Sequence, residues 1–265
     1  VTNAQDVIDD LTADSEDFHA LFAGLGLEGW AAETPAPGWT VKHQVAHLTF
    51  VFRIAGLAAG DPAAFGRIAE AAGETGFDKA VNAALADYLD DPAEVLAGRW
   101  RAERDTAVKA LAAVPADRTV PWLVAPLPPA VLAAAGMMEL FAHGQDIADA
   151  LGVERTHTDR LRPVAEFAVR TKDFGYQARG LTPPPDEFRF EITAPSGALW
   201  TFGPEGAAQR ITGPAVDFCL LVTRRRHPAD LAVGAEGAEA SRWLEIAQAY
   251  RGPAGEGRRA GQFTR

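Results

Sequence analysis

Residues 129–152 read PAVLAAAGMMELFAHGQDIADALG, and this stretch decides the fold. Proline at its head, glycine at its foot and a strongly apolar run between them describe a helix from Pro129 to near Gly152. Within it, Glu139 and His143 stand four residues apart, so both side chains project from one face and can reach a common point. On an isolated helix such a pair is more often a solvent-facing contact than a pair of ligands. The rest of the chain decides between the two.

Working outward, apolar Val7, Leu11, Phe18, Leu21 and Phe22 recur near helical spacing from Ala4 to Ala23, where Gly24 and Gly26 close the segment. After a Pro-rich connection, Thr34 to Gly38, Thr40 is placed to cap a second helix carrying Val41, Val45, Leu48, Phe52 and Leu57. Ala63 to Leu89 is helical in tendency and broken by Gly73 and Gly76. Asp90-Asp91-Pro92 opens a helix running to about Val114. A loop from Pro115 to Pro128 with four prolines surrounds Trp122. Four main helices therefore fall before residue 153.

Downstream, Asp159 to Arg179 reads as one more helix with Gly180 as its stop, followed by a stiff connector from Pro183 to Pro185. Phe188 to Thr193 then alternates apolar with polar, and Ala194-Pro195-Ser196-Gly197 turns it into Leu199 to Phe202, a hairpin. A strand near Gln209 to Ile211, a helix from Pro214 to about Thr223, a strand at Asp230 to Val233 and a helix from Ala238 to Tyr250 complete a small mixed region. The fold class is α+β. Residues 1–155 form a helical bundle, 156–252 a small α+β domain and 253–265 a Gly- and Arg-rich tail expected to be disordered.

A net charge of −11 argues against a nucleic-acid partner, since such proteins carry basic stripes that displace counterions from phosphates. Cys219 is the single cysteine, which rules out an intramolecular disulfide and a cysteine-based structural zinc site. Val1 to Asp10 does not read as a signal peptide, and no stretch reaches the roughly 18 apolar residues of a membrane span. A cytoplasmic protein, monomer or homodimer, acting on a small molecule is the expectation.

Of the remaining histidines, His43 and His47 lie inside an amphipathic helix with apolar neighbours on both sides. If that helix faces the one carrying Glu139 and His143, then His47, Glu139 and His143 can bind a divalent metal with open positions. A further nitrogen from His43 would close the site. Asp146, three residues after His143, can accept a hydrogen bond from a ligand imidazole or serve as a weak fourth ligand. Trp39, Trp122 and Trp200 can line a pocket but are each expected first in core or inter-domain packing, and Cys219 reads as a buried small hydrophobe.

The stretch from Pro37 to Leu48, PGWTVKHQVAHL, resembles a signature of the mycothiol-dependent maleylpyruvate isomerase family, in which a Trp and a capping Ser or Thr precede a metal-binding His. Residues 139–147, ELFAHGQDI, resemble that family's second signature, and the two come in the right order and at a fitting separation. The resemblance implies a DinB-like N-terminal four-helix bundle, with His47, Glu139 and His143 as metal ligands and His43 not one. More loosely, Gly213 to Leu221 followed by an Arg cluster is similar to the family's helix ending in an Arg that approaches the active site, and Arg225 matches it best. The family usually has Gly before that Arg and Trp upstream. Here Arg224 and Leu221 or Val222 stand instead, so Arg225 reads equally as a solvated charge at a helix end.

What the resemblance implies is an isomerase or S-transferase. In the isomerase, mycothiol or another low-molecular-weight thiol adds to an electron-poor double bond of a small unsaturated carbonyl substrate, the bond rotates and the thiol leaves. Zinc leads among the metals, with nickel, iron, cobalt and manganese compatible. The same donor set also suits a non-haem iron enzyme, a thiol-independent lyase or cyclase, or a metal-binding module without turnover.

Overall fold

The computed structural model describes residues 3–75 and 77–263, with the backbone path alone at 73–75 and 77–82. The chain divides into two compact units, Val1–Arg155 and Thr156–Arg265.

Four long helices make the first unit: α1 (Ala4–Phe22), α3 (Val41–Gly60), α6 (Ala93–Ala112) and α7 (Pro129–Leu151), with α2 (Leu27–Ala31), α4 (Pro62–Thr75) and α5 (Phe77–Leu89) between them. α1 packs on α7 and α3 on both α6 and α7, which closes the bundle. The short α2 was not legible in the periodicity, because five residues are too few to repeat. α4 runs through Gly73, where a break was expected; the one expected at Gly76 lies outside the described residues.

The core forms around Trp100 of α6, fully buried with its ring 5.0 Å from Phe18 of α1 and 4.9 Å from Phe52 of α3, both edge-on. α3 and α6 approach closely because Gly56 has no side chain: a Cβ there would stand 3.2 Å from the Ala107 Cα. Near the end of α7 a second glycine does similar work. Arg155 donates Nη1 to the Phe141 carbonyl at 2.8 Å, and its guanidinium fills the space that a Cβ on Gly144 would need, 3.1 Å away. Burial lowers the Arg155 pKa to about 10, the nearby Asp14, Asp17 and Asp149 opposing the shift, so the side chain stays charged at neutral pH.

The second unit carries a four-stranded sheet in the order β2-β1-β3-β4, from β1 (Phe188–Thr193), β2 (Leu199–Phe202), β3 (Gln209–Pro214) and β4 (Gly234–Glu236). β1 and β2 form the antiparallel hairpin, β3 joins β1 in parallel, and β4 is antiparallel to β3. The alternation in β1 buries Phe188, Phe190 and Ile192, while Arg189 and Glu191 face the other way. Arg189 and Arg210 sit side by side in register, and their like charges are offset by Glu191, which accepts hydrogen bonds from both. Three helices complete the unit with α9 (Phe174–Gln177): α8 (Arg162–Arg170), α10 (Ala215–Val222) and α11 (Ala238–Ile246).

Three boundaries differ from those expected. The single helix foreseen over 159–179 is a 3-10 turn at Asp159–Leu161, then α8, then α9. The break falls at Thr171, which ends α8 with φ −103° and ψ 17°, and just beyond it the Trp243 indole takes the Lys172 carbonyl that a continuing helix would have used. The strand foreseen at Asp230 to Val233 lies instead at Gly234–Glu236. Pro228–Asp230 forms a 3-10 turn, and the Ala232 N–H donates to Asp217 Oδ2 rather than to a ladder. The last helix ends at Ile246, since the Ala249 N–H turns to the Val222 carbonyl. Residues 253–263 hold no regular element. Gly261 N–H donates to Asp230 and Arg226 lies 4.1 Å from the Phe263 ring centroid, contacts that composition did not anticipate. No helix among the described residues is long and apolar enough to cross a membrane.

Candidate metal centre

The site lies where α3 meets α7. Thr40 starts α3 through a capping arrangement in which His43 turns back, its Nδ1 accepting the Thr40 backbone N–H at 3.2 Å. This occupies His43 at the helix end. One turn further on, His47 faces α7, where Glu139 and His143 project from one face as their spacing requires.

Glu139 Oε2 stands 3.1 Å from His143 Nε2 and 3.7 Å from His47 Nε2, and the two imidazole centroids are 4.6 Å apart. One donor atom from each of the three residues lies within 4.8 Å of the others. Two donors each about 2.0–2.2 Å from a tetrahedral ion stand roughly 3.3 Å apart, so the spacings suit a small divalent cation. Side-chain exposures of 17% for His47, 24% for Glu139 and 13% for His143 leave the cluster partly exposed. Burial works against the Glu139 carboxylate, but hydrogen bonds to His143 and His47 outweigh it and hold its pKa well below the usual carboxylate range. An anion is thus presented to two imidazoles, a donor set whose chemistry fits a dication.

Trp39 forms one wall. Its indole lies nearly parallel to the His143 ring at 6.0 Å and tilted against His47 at 5.3 Å. The expectation that Trp39 belongs to core packing is corrected by these contacts, while Trp122 stacks on Phe65 and Trp200 is buried in β2. His143 Nδ1 meets Gln44 Oε1 at 2.5 Å. Sequence reading missed Gln44, although a polar residue fully buried in an otherwise apolar helix face is a signal that a partner must exist.

Asp146 is fully buried on α7 and is not among the described residues whose donor atoms converge. Arg225 follows α10 in the second unit, its Nη1 donating to the Thr223 carbonyl at 2.7 Å beside Arg224, whose φ is 58°. Cys219 is buried in α10, and burial pushes its thiol pKa far up. Iodoacetamide is therefore expected to leave the native protein unmodified at pH values where a free thiol reacts, and to label Cys219 fully in denaturant. Rapid native labelling followed by mass spectrometry would contradict this.

A helical bundle that gathers two histidines and a glutamate between facing helices, with a small mixed-sheet unit after it in the chain, is an α+β protein with a candidate metal centre. The chain belongs to the family described as mycothiol maleylpyruvate isomerase N-terminal domain, which matches residues 11–148. Residues 184–236 also match a family described as wyosine base formation. Uncharacterized proteins from two strains of Mycobacterium tuberculosis are 47% identical over 251 residues, covering 94% of this chain and 96% of theirs. Two crystal structures of the mycothiol-dependent maleylpyruvate isomerase share the fold. One, a histidine-to-alanine mutant, has a TM-score of 0.56 at 11% identity, covering 88% of this chain and 92% of that one. The other has a TM-score of 0.53 at 12% identity, over 83% and 88%.

Proposed function

We propose that this chain is a metal-dependent enzyme that uses a low-molecular-weight thiol, mycothiol first, either to isomerise a small electrophilic or unsaturated carbonyl substrate or to be transferred onto it. The observation that carries the reading is the convergence of the partly exposed His47, Glu139 and His143. Membership of the mycothiol maleylpyruvate isomerase family supports it.

His47, Glu139 and His143 would hold the ion, zinc before nickel, iron, cobalt or manganese. Bound there, a divalent ion supplies the Lewis acidity that lets an incoming thiol bind as thiolate at neutral pH. Glu139 brings the single negative charge of the triad and stays ionised beside its two imidazole partners. Trp39 lies against the rings of His143, His47 and His43 and would give the ion an aromatic wall on that side. His43, committed to the start of α3, leaves the remaining coordination positions to thiol and substrate.

The test is to measure metal by mass spectrometry on the purified protein, then to add a low-molecular-weight thiol to a cobalt-substituted sample. About one equivalent of metal and a thiolate-to-cobalt charge-transfer band are expected. Metal without the band would move the reading to a water-activating or carbonyl-polarising enzyme. No metal even after reconstitution would end it.

A further inference from the structure

The hydrogens around His143 can be assigned by starting from a backbone carbonyl. The Trp39 carbonyl has no hydrogen to give, so Thr34 Oγ1 donates to it at 2.7 Å. The Thr34 hydroxyl has then used its one hydrogen and accepts from Gln44 Nε2 at 2.8 Å. This turns the amide oxygen of Gln44 toward Nδ1 of His143. A carbonyl oxygen only accepts, so Nδ1 must carry a hydrogen, and Nε2, 3.1 Å from Glu139 Oε2, is the nitrogen left with a lone pair to offer.

Glu139 pulls the other way. In a neutral ring with nothing behind it, the hydrogen would sit best on Nε2, where the carboxylate accepts it, and that tautomer cannot ligate an ion between His143 and Glu139. The opposing group is buried and rigidly held. Gln44 is fully buried, Thr34 is 8% exposed, and both bond within a short loop closed by the Thr34 N–H to Trp39 carbonyl bond at 2.8 Å and by the bridge between Glu33 and Thr40. Flipping the Gln44 amide would suit a His143 ring with its hydrogen on Nε2, but it would face the amide oxygen with a Thr34 hydroxyl whose hydrogen is already given.

We propose that Thr34 and Gln44, rooted in the Trp39 carbonyl, are positioning residues that hold His143 as its Nδ1–H tautomer and so keep Nε2 available as a metal ligand. The proposal rests on the reading of His47, Glu139 and His143 as a metal centre. The loop that seats Trp39 against the imidazoles thereby also orients one of them, and a single short segment serves both ends.

Two readouts test it on the full chain. In metal-free, ¹⁵N-histidine-labelled protein at alkaline pH, the His143 ring, assigned by its disappearance in His143→Gln, should show a protonated Nδ1 and a bare Nε2. In Gln44→Leu and Thr34→Val the hydrogen should move toward Nε2. Thr34→Ser, which keeps the hydroxyl, should retain the wild-type signature. Zinc affinity, read by chelator competition, should fall about ten- to a hundredfold in Gln44→Leu, less in Thr34→Val, and stay near wild type in Thr34→Ser. A wild-type ring with its hydrogen on Nε2, or equal zinc affinity in wild type and Gln44→Leu, overturns the relay while leaving the metal centre intact. A wild type that takes up no zinc fails the metal reading itself and the proposal with it.

Discussion

Replacing Glu139 by alanine is expected to strip the protein of its metal, leaving well under one equivalent after purification and an affinity more than about a hundredfold weaker. Removing a partner behind a metal ligand already costs about ten- to a hundredfold, and Glu139 is itself one of the three converging donors. It is also the triad's only anion, so without it a dication would face two neutral imidazoles with no protein charge to balance it. His47→Ala should behave alike, since the two remaining donors come from a single turn of α7. His43→Ala is the control. Its Nδ1 only caps α3, so metal content should stay near wild type while helix stability falls by about 1 kcal/mol. Metal retained in Glu139→Ala, or lost in His43→Ala, would mean that the ligands have been misassigned.

The second large effect is expected in the other unit. Trp243 is fully buried, stacked with Phe218 at 6.2 Å and edge-on to Phe190 at 5.6 Å, and its indole N–H donates to the Lys172 carbonyl at 3.0 Å. Trp243→Ala removes the ring on which β1, α10 and the break after α8 all converge, and leaves the Lys172 carbonyl without that donor. A loss of about 3–5 kcal/mol follows from core Trp truncation, a large share of the roughly 5–15 kcal/mol that stabilises an ordinary domain. Circular dichroism should show the corresponding thermal transition lowered by more than about 10 °C. A shift of only a degree or two would show that the unit's stability lies elsewhere.

The helices were legible in the chain because their signals are local. Pro129 and Gly152 bracket α7, Thr40 starts α3, and the alternation from Phe188 to Thr193 marks β1, each a pattern within a few residues that backbone geometry must obey. The pairing of Glu139 with His143 was legible for the same reason, as four residues is one turn. Choosing His47 over His43 needed the resemblance of PGWTVKHQVAHL to a known signature; periodicity alone places both on the same helix.

Where local signals ran out, competing partners decided. The helix foreseen from Asp159 to Arg179 breaks where Trp243 claims the Lys172 carbonyl it would have used, and β4 is displaced because Asp217 claims the Ala232 N–H. The support behind the candidate site belongs to the same kind. Gln44 and His143 are 99 residues apart, and nothing in either neighbourhood says which amide atom will face which ring nitrogen. By itself the sequence determined which segments are helices and strands, and which residues could ligate, because hydrophobic period and capping act over one or two turns. Only the tertiary structure decided that Trp39 covers the imidazoles and that Thr34 and Gln44 orient one of them, because a hydrogen bond's direction depends on every other group sharing its donors and acceptors.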